Sequence, residues 1–135
     1  RKDAGFTLVE ILVAVAIIAI MGVGAALILV PEVGKASAVR AKTDIRNLTQ
    51  ALDMYYLDMN TYPDSLEALT GGVNAPSDAR YRPGGYIKFL PTDPWGKDYL
   101  YAYPGDNGLV DLWSLGADGE PGGEGINADI NNWEQ

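Results

Sequence analysis

The longest hydrophobic feature of the chain lies near its amino terminus, where residues 11–30 include no charged side chain. An α-helix rises about 1.5 Å per residue, so a helix of this length matches the roughly 30 Å thickness of the hydrocarbon core of a bilayer. The run therefore predicts a helix that crosses a membrane. An ordinary secretory signal is an alternative, although its apolar run is usually only about 7 to 15 residues long.

A second hydrophobic pattern extends this helix beyond the apolar run. Apolar side chains recur three and four residues apart, which marks one face of an α-helix. They are Ile45, Leu48, Leu52, Tyr55 and Met59. Pro63 follows soon afterwards, and the residue before a proline is disfavoured in helical geometry. We therefore predict one spine helix over residues 6–60, with a bend or a melted turn near Pro31, because an internal proline costs about 3 kcal/mol.

The pattern after the spine helix predicts a short helix over residues 64–70. Asp64 or Ser65 would cap it, and Leu66 and Leu69 would form its buried side. The glycine pair that follows is expected to end it.

Three β-favouring runs come next, separated by clusters of proline, glycine, aspartate and asparagine. They are residues 86–90, 99–103 and 109–114. They predict a three-stranded antiparallel meander that packs on the lower half of the spine helix and buries Leu52, Tyr55 and Met59. The predicted fold class is therefore α+β, with a long amino-terminal helix and a small β-sheet head.

The composition of the chain narrows the classes of function that it can perform. The 135 residues include no histidine and no cysteine, which removes the commonest general base, the commonest nucleophile and any disulfide. No glycine-rich phosphate-binding motif precedes a helix, so we do not expect an enzyme. The formal net charge is −8, and no lysine or arginine follows Lys97. Such an acidic carboxyl-terminal region disfavours nucleic acid and favours cations.

Glu10 is the unusual residue of the amino-terminal segment, because it places a carboxylate one turn into an otherwise apolar helix. An unpaired charge at this depth of a membrane costs on the order of several kcal/mol. Thr7 and Glu10 fit the S/T-x-x-E capping box, which offers a local explanation. Capping and pairing with a cation are compatible, so both roles stay open.

Residues 5–10, Gly-Phe-Thr-Leu-Val-Glu, followed by an apolar helix, resemble the amino-terminal signature of the type IV pilin-like family. The resemblance implies that a prepilin peptidase cleaves between Gly5 and Phe6, and that the new Phe6 amine is methylated. It also implies that Glu10 meets the Phe6 amine of a neighbouring subunit during assembly.

Motifs further along the chain are similar to those of the major pseudopilins of the type II secretion system. They lie at residues 51–58, 62–63, 84–87, 90–96, 111–119 and 128–133. The resemblance implies a structural subunit that polymerises into a periplasmic pseudopilus and supports export of folded proteins across the outer membrane. Pro31 departs from the family pattern by about one helical turn, and the loop between Gly119 and Asp129 is richer in glycine.

The resemblance also implies the organisation and surroundings of the chain. Its parts would be a leader remnant, a transmembrane and assembly helix, the periplasmic half of the spine and the head, at residues 1–5, 6–30, 31–60 and 61–135. The protein would cross the bacterial inner membrane once, with its head in the periplasm, before it enters the pseudopilus. Its implied partners are further copies of itself, minor pseudopilins, the inner-membrane assembly platform, the prepilin peptidase and the inner membrane.

The same resemblance implies one calcium ion in the carboxyl-terminal loop. Its ligands would be the carboxylates of Asp118 and Asp129 and the backbone carbonyl of Leu115, with Asn127 as the expected further side chain. Ca²⁺ takes about six to eight oxygen ligands, which such a loop can supply. Spacing alone supports this weakly, because the loop does not fit the EF-hand pattern and acidic glycine-rich loops are usually solvated turns.

Two other functions fit parts of the pattern. A major or minor subunit of a type IV pilus would share the amino-terminal signature, but such subunits usually carry a carboxyl-terminal disulfide that this chain cannot form. A membrane-anchored, calcium-dependent binding module would explain the acidic loop. It would be monomeric, however, and would have no use for Glu10.

Overall fold

The computed structural model describes residues 5–134, except for the side chains of residues 25–33. The chain divides into two compact units, Arg1–Lys35 and Ala36–Gln135. The predicted leader residues 1–4 lie outside the described part, so the structure bears on that interpretation only at Gly5.

Helix α1 spans Leu8–Met59 without interruption. The melted turn expected near Pro31 is therefore wrong: the backbone is helical at that residue. A proline removes one helical hydrogen bond and crowds one carbonyl, so its effect is local and the helical backbone continues on both sides of it.

The predicted end of the spine helix is confirmed. Asn60 follows α1 with a φ of 59°, and its N–H donates to the carbonyl of Tyr56 at 2.7 Å. Asparagine tolerates this left-handed conformation better than most residues, which makes it a suitable residue after a helix terminus.

The short helix predicted after the spine is present as a 3₁₀ helix at Leu66–Leu69, with both leucines buried. Ser65 occupies the capping position, although its side chain makes no capping hydrogen bond. A second 3₁₀ helix follows at Gly72–Asn74.

The head contains a three-stranded antiparallel sheet in the order β1-β2-β3. The strands are β1 Leu100–Ala102, β2 Asp111–Ser114 and β3 Ile130–Asn131. The first two confirm the predicted strands at residues 99–103 and 109–114. The third strand comes from the end of the chain and was not predicted.

The strand predicted at residues 86–90 is wrong. The amides of Tyr86 and Ile87 both donate to the carbonyl of Leu69, at 2.7 and 3.1 Å, instead of to a neighbouring strand. Gly85 permits this approach, because a Cβ at that position would lie 2.7 Å from the Leu69 carbonyl oxygen. The segment therefore packs on the 3₁₀ helix and does not join the sheet.

The core of the Ala36–Gln135 unit lies where α1 meets the head. The buried apolar side chains of α1 are Ala41, Ile45, Leu48, Ala51, Leu52, Tyr55 and Met59. The head contributes Leu66, Leu69, Tyr81, Tyr99, Val110, Leu112 and Ile130. The predicted burial of Leu52, Tyr55 and Met59 is confirmed.

A buried tyrosine also joins the head to α1. The Tyr99 hydroxyl donates to Asp44 Oδ2 at 2.7 Å. Burial, together with this carboxylate, raises the pKa of Tyr99, so the hydroxyl remains a donor across the physiological pH range.

Candidate functional site

The amino-terminal motif forms the start of α1. The Glu10 amide donates to Thr7 Oγ1 at 3.1 Å, so Thr7 caps the helix as its sequence position predicts. The Glu10 carboxylate, by contrast, makes no hydrogen bond or ion pair within the described part of the chain. Capping therefore uses only the backbone amide of Glu10, so its carboxylate stays available to pair with a cation.

The surface around Glu10 is apolar. The residues that line the groove beside it are Phe6, Ile11, Ala14 and Val15. Large apolar side chains between Phe6 and Val23 are all at least 52 % exposed. A continuous apolar surface of this extent marks contact with a membrane or with other protein.

The predicted processing site lies at the amino-terminal end of this surface. Gly5 and Phe6 are both exposed and precede the first residue of α1. Their peptide bond is therefore outside the helical hydrogen-bond pattern and open to a peptidase. Among the residues whose side chains are described, no helical stretch combines the length and hydropathy required to cross a membrane.

The carboxyl-terminal loop connects β2 to β3 and carries the predicted metal ligands. The Ala117 amide donates to the Ile126 carbonyl at 2.9 Å, which closes the loop on itself. Gly116, at a φ of 78°, permits this closure, because a Cβ there would lie 2.8 Å from the Ala128 carbonyl oxygen. The two ends of the loop are thereby held next to each other.

Asp118 and Asp129 have different surroundings in this loop. Asp118 Oδ1 accepts a hydrogen bond from the Glu120 amide at 3.1 Å, and Asp129 Oδ2 accepts one from the Gly122 amide at 3.0 Å. Asp129 Oδ1 is buried and has no partner among the described residues. Because a buried oxygen without a donor is costly, this atom fits a site for a cation.

The four predicted ligands lie on one loop, but two of them, Leu115 and Asp129, border different clefts. Leu115 lines a groove with Lys97 and Asp98, whereas Asp129 lines a cleft with Lys42 of α1. The described side chains form no cluster of three or more carboxylate, imidazole or thiol groups that could hold a metal. A cation here would depend on backbone and amide oxygens as well as on two carboxylates.

A buried polar network fixes the start of the loop. Asp93 is only 3 % exposed, and its Oδ2 accepts a hydrogen bond from Ser114 Oγ at 2.9 Å. Ser114 Oγ in turn accepts one from the Gly116 amide at 3.3 Å. The sequence indicated only a turn at Asp93, because no local pattern identifies a partner 21 residues away.

Asn132 fixes the other end of the loop. Its Oδ1 accepts from the Leu112 amide at 3.0 Å, and its Nδ2 donates to the Val110 carbonyl at 3.1 Å. The side chain thus forms the hydrogen bonds with the backbone of Val110 and Leu112 that a neighbouring strand would form. Side chains outside the loop therefore hold both of its ends.

Two family models together match nearly the whole chain. The prokaryotic N-terminal methylation motif matches residues 1–26, and the type II secretion system protein G family matches residues 28–133. The chain belongs to the type II secretion system protein G family. It is therefore a structural subunit of the pseudopilus of type II secretion, and the resemblance inferred from its sequence motifs is confirmed.

Individual relatives cover nearly the whole chain. Type II secretion system core protein G of Vibrio cholerae is 50 % identical over 136 residues, which cover 98 % of this chain and 93 % of the relative. The protein of the same name from Pseudomonas aeruginosa is 44 % identical and covers 99 % of this chain and 97 % of its own length.

A solved structure supports the same fold. The crystal structure of the major pseudopilin from the type 2 secretion system of enterohaemorrhagic Escherichia coli has a TM-score of 0.62 and 41 % sequence identity. The match covers 75 % of this chain and 90 % of that chain. The predicted α+β architecture of a long helix with a small antiparallel sheet is thus confirmed.

Proposed function

We propose that the chain polymerises into a helical periplasmic filament through its amino-terminal segment. The observation that supports this most is the exposed apolar surface between Phe6 and Val23, which includes the unpaired Glu10 carboxylate. Inner-membrane lipid would cover this surface before assembly, and the helices of neighbouring copies would cover it afterwards. The uncharged run at residues 11–30 is long enough for such an anchor.

Glu10 would select the correct position of each incoming subunit. Cleavage after Gly5 would create a positively charged amine at Phe6, in the same groove that Glu10 borders. A carboxylate and an ammonium from two copies neutralise each other, which lowers the cost of burying either charge among apolar helices. A misplaced subunit would leave both charges unpaired.

The wider assembly follows from this role. A prepilin peptidase would process the chain, and an inner-membrane assembly platform would extract it from the membrane. Minor pseudopilins would join it in the filament, and growth of the filament would support export of folded proteins across the outer membrane. These partners are proposed from family membership.

The carboxyl-terminal loop would hold one Ca²⁺ ion. Asp118 and Asp129 would supply carboxylates, Leu115 a backbone carbonyl and Asn127 an amide oxygen. The support is the partnerless buried Asp129 Oδ1, together with a donor set made only of oxygen, as a hard cation requires. The ion would supply positive charge that holds the loop closed in a chain without cysteine.

Processing gives the first testable expectation. We expect the mature chain to begin at Phe6 with a methylated amine, because the exposed bond after Gly5 precedes α1 and lies within the matched methylation motif. Mass spectrometry of the amino-terminal peptide measures this directly. A terminus after Ala25 or Ala26 would instead indicate an ordinary secretory signal.

A further inference from the structure

Lys97 is the last basic residue of the chain, and its side chain lies against the acidic carboxyl-terminal loop. A Cβ added at Gly119 would overlap the Lys97 ammonium and lie 2.9 Å from Lys97 Cε. The ammonium therefore lies over the backbone between Asp118 and Glu120. Lys97 also lines the same groove as Leu115.

The backbone of Lys97 is held by the network that fixes the start of this loop. The Lys97 amide donates to Asp93 Oδ1 at 2.8 Å, and the Asp93 amide donates to the Lys97 carbonyl at 2.7 Å. The other oxygen of the same carboxylate, Asp93 Oδ2, accepts a hydrogen bond from Ser114 Oγ. Ser114 is the residue that directly precedes the loop. One buried aspartate thus fixes Lys97 and the loop relative to each other.

The charge of Lys97 is not committed to a single carboxylate. None of the ion pairs found in the described part of the chain includes Lys97. The carboxylates of the loop are Asp118, Glu120, Glu124 and Asp129, and the loop itself contains no basic residue. Lys97 is therefore placed to offset the repulsion of the carboxylates that flank Gly119, those of Asp118 and Glu120, whereas Lys42 and Arg46 border the cleft of Asp129.

We propose that Lys97 is a tethered counter-cation of this loop. It steadies the loop when no metal ion is bound, and it weakens the binding of a divalent cation by repulsion. This inference rests on the calcium site of the proposed function. Because the side chain is flexible and exposed, it tunes the affinity and does not block the site.

The test compares Lys97→Met with the parent and with Lys97→Arg, using the full chain in detergent. Methionine keeps an unbranched stem over Gly119 and removes the charge, whereas arginine keeps the charge. Lys88→Met is the matched control, because Lys88 is exposed and borders a different groove with Asp44. Calcium titration by calorimetry gives the dissociation constant, and thermal unfolding in chelator gives the stability of the metal-free loop.

We expect Lys97→Met to lower the calcium dissociation constant about three- to tenfold and to lower the melting temperature in chelator. Lys97→Arg and Lys88→Met should leave both close to those of the parent. An unchanged dissociation constant in Lys97→Met, or an equal change in Lys97→Arg, would overturn the proposal.

Different results would reject the calcium site and the counter-cation role of Lys97. If the parent binds no calcium, the calcium site of the proposed function is rejected. The chelator comparison then decides the counter-cation role alone. A lower melting temperature in Lys97→Met would support that role, and an unchanged one would reject it.

Discussion

Glu10→Ala is expected to abolish filament formation while leaving a folded, membrane-associated protein. The Glu10 carboxylate has no partner within the described part of the chain, and the core of the Ala36–Gln135 unit does not include it. Its removal should therefore leave the head intact, whereas the Phe6 amine of a neighbouring copy, the proposed partner of Glu10, would be left unpaired among apolar side chains. The measurement is the amount of chain in sheared filaments relative to the amount in the membrane fraction.

Two further variants separate pairing from helix capping. Glu10→Gln retains a side chain that suits the capping box but carries no charge, so we expect it to fail as completely as alanine. Glu67→Ala removes an exposed carboxylate of the head and should assemble normally. Parental filament yield from Glu10→Gln would contradict the pairing role.

Chelation of calcium is expected to destabilise the head. Binding of an ion to the folded state alone adds RT ln(1 + [Ca²⁺]/Kd), which is about 2.7 kcal/mol at a hundredfold excess over Kd. Without the ion, Asp129 Oδ1 would again be buried without a partner. Thermal unfolding of the full chain in detergent, with Ca²⁺ and with chelator, measures the difference.

Single substitutions of carboxylates test where the proposed ion binds. Asp129→Asn and Asp118→Ala should each lose most of the calcium response, because each removes one of the two proposed carboxylate ligands. Asp106→Ala, which removes an exposed carboxylate outside the loop, should retain the full response. A parent melting temperature that is indifferent to chelator would reject the site, and a full response in Asp129→Asn would place the ion elsewhere.

Local sequence patterns predicted the parts of the fold that local interactions determine. The spacing of Leu52, Tyr55 and Met59 identified the buried face of α1, and Pro63 indicated where it ends, because helical periodicity and the constraint before a proline are short-range properties. β1 and β2 were found for the same reason. The melted turn at Pro31 was wrong, since a proline removes only one hydrogen bond and the helical backbone continues on both sides of it.

The errors in the head arise from contacts between distant residues. The run at residues 86–90 has the composition of a strand, but its first two amides, those of Tyr86 and Ile87, donate to the carbonyl of Leu69. β3 has two residues, which is too short for any periodicity to identify. Only the folded chain brings these segments together.

The candidate sites also differ in whether neighbouring or distant residues form them. Gly5, Phe6 and Glu10 form a contiguous motif, so the amino-terminal site could be predicted from the sequence and its methylation motif is matched. The metal ligands remain predictions. The supports of the loop, Asp93 and Asn132, were missed because their partners lie about twenty residues away in sequence.

Recovery of filaments from cells that overexpress the chain with the type II secretion assembly components tests its polymerisation most directly. Sheared material would be examined by electron microscopy, and its subunit would be identified by amino-terminal mass spectrometry. We predict filaments built mainly of this chain, beginning at Phe6. A processed chain that remains entirely monomeric in the membrane fraction, with no filaments in the sheared material, would contradict the proposed function.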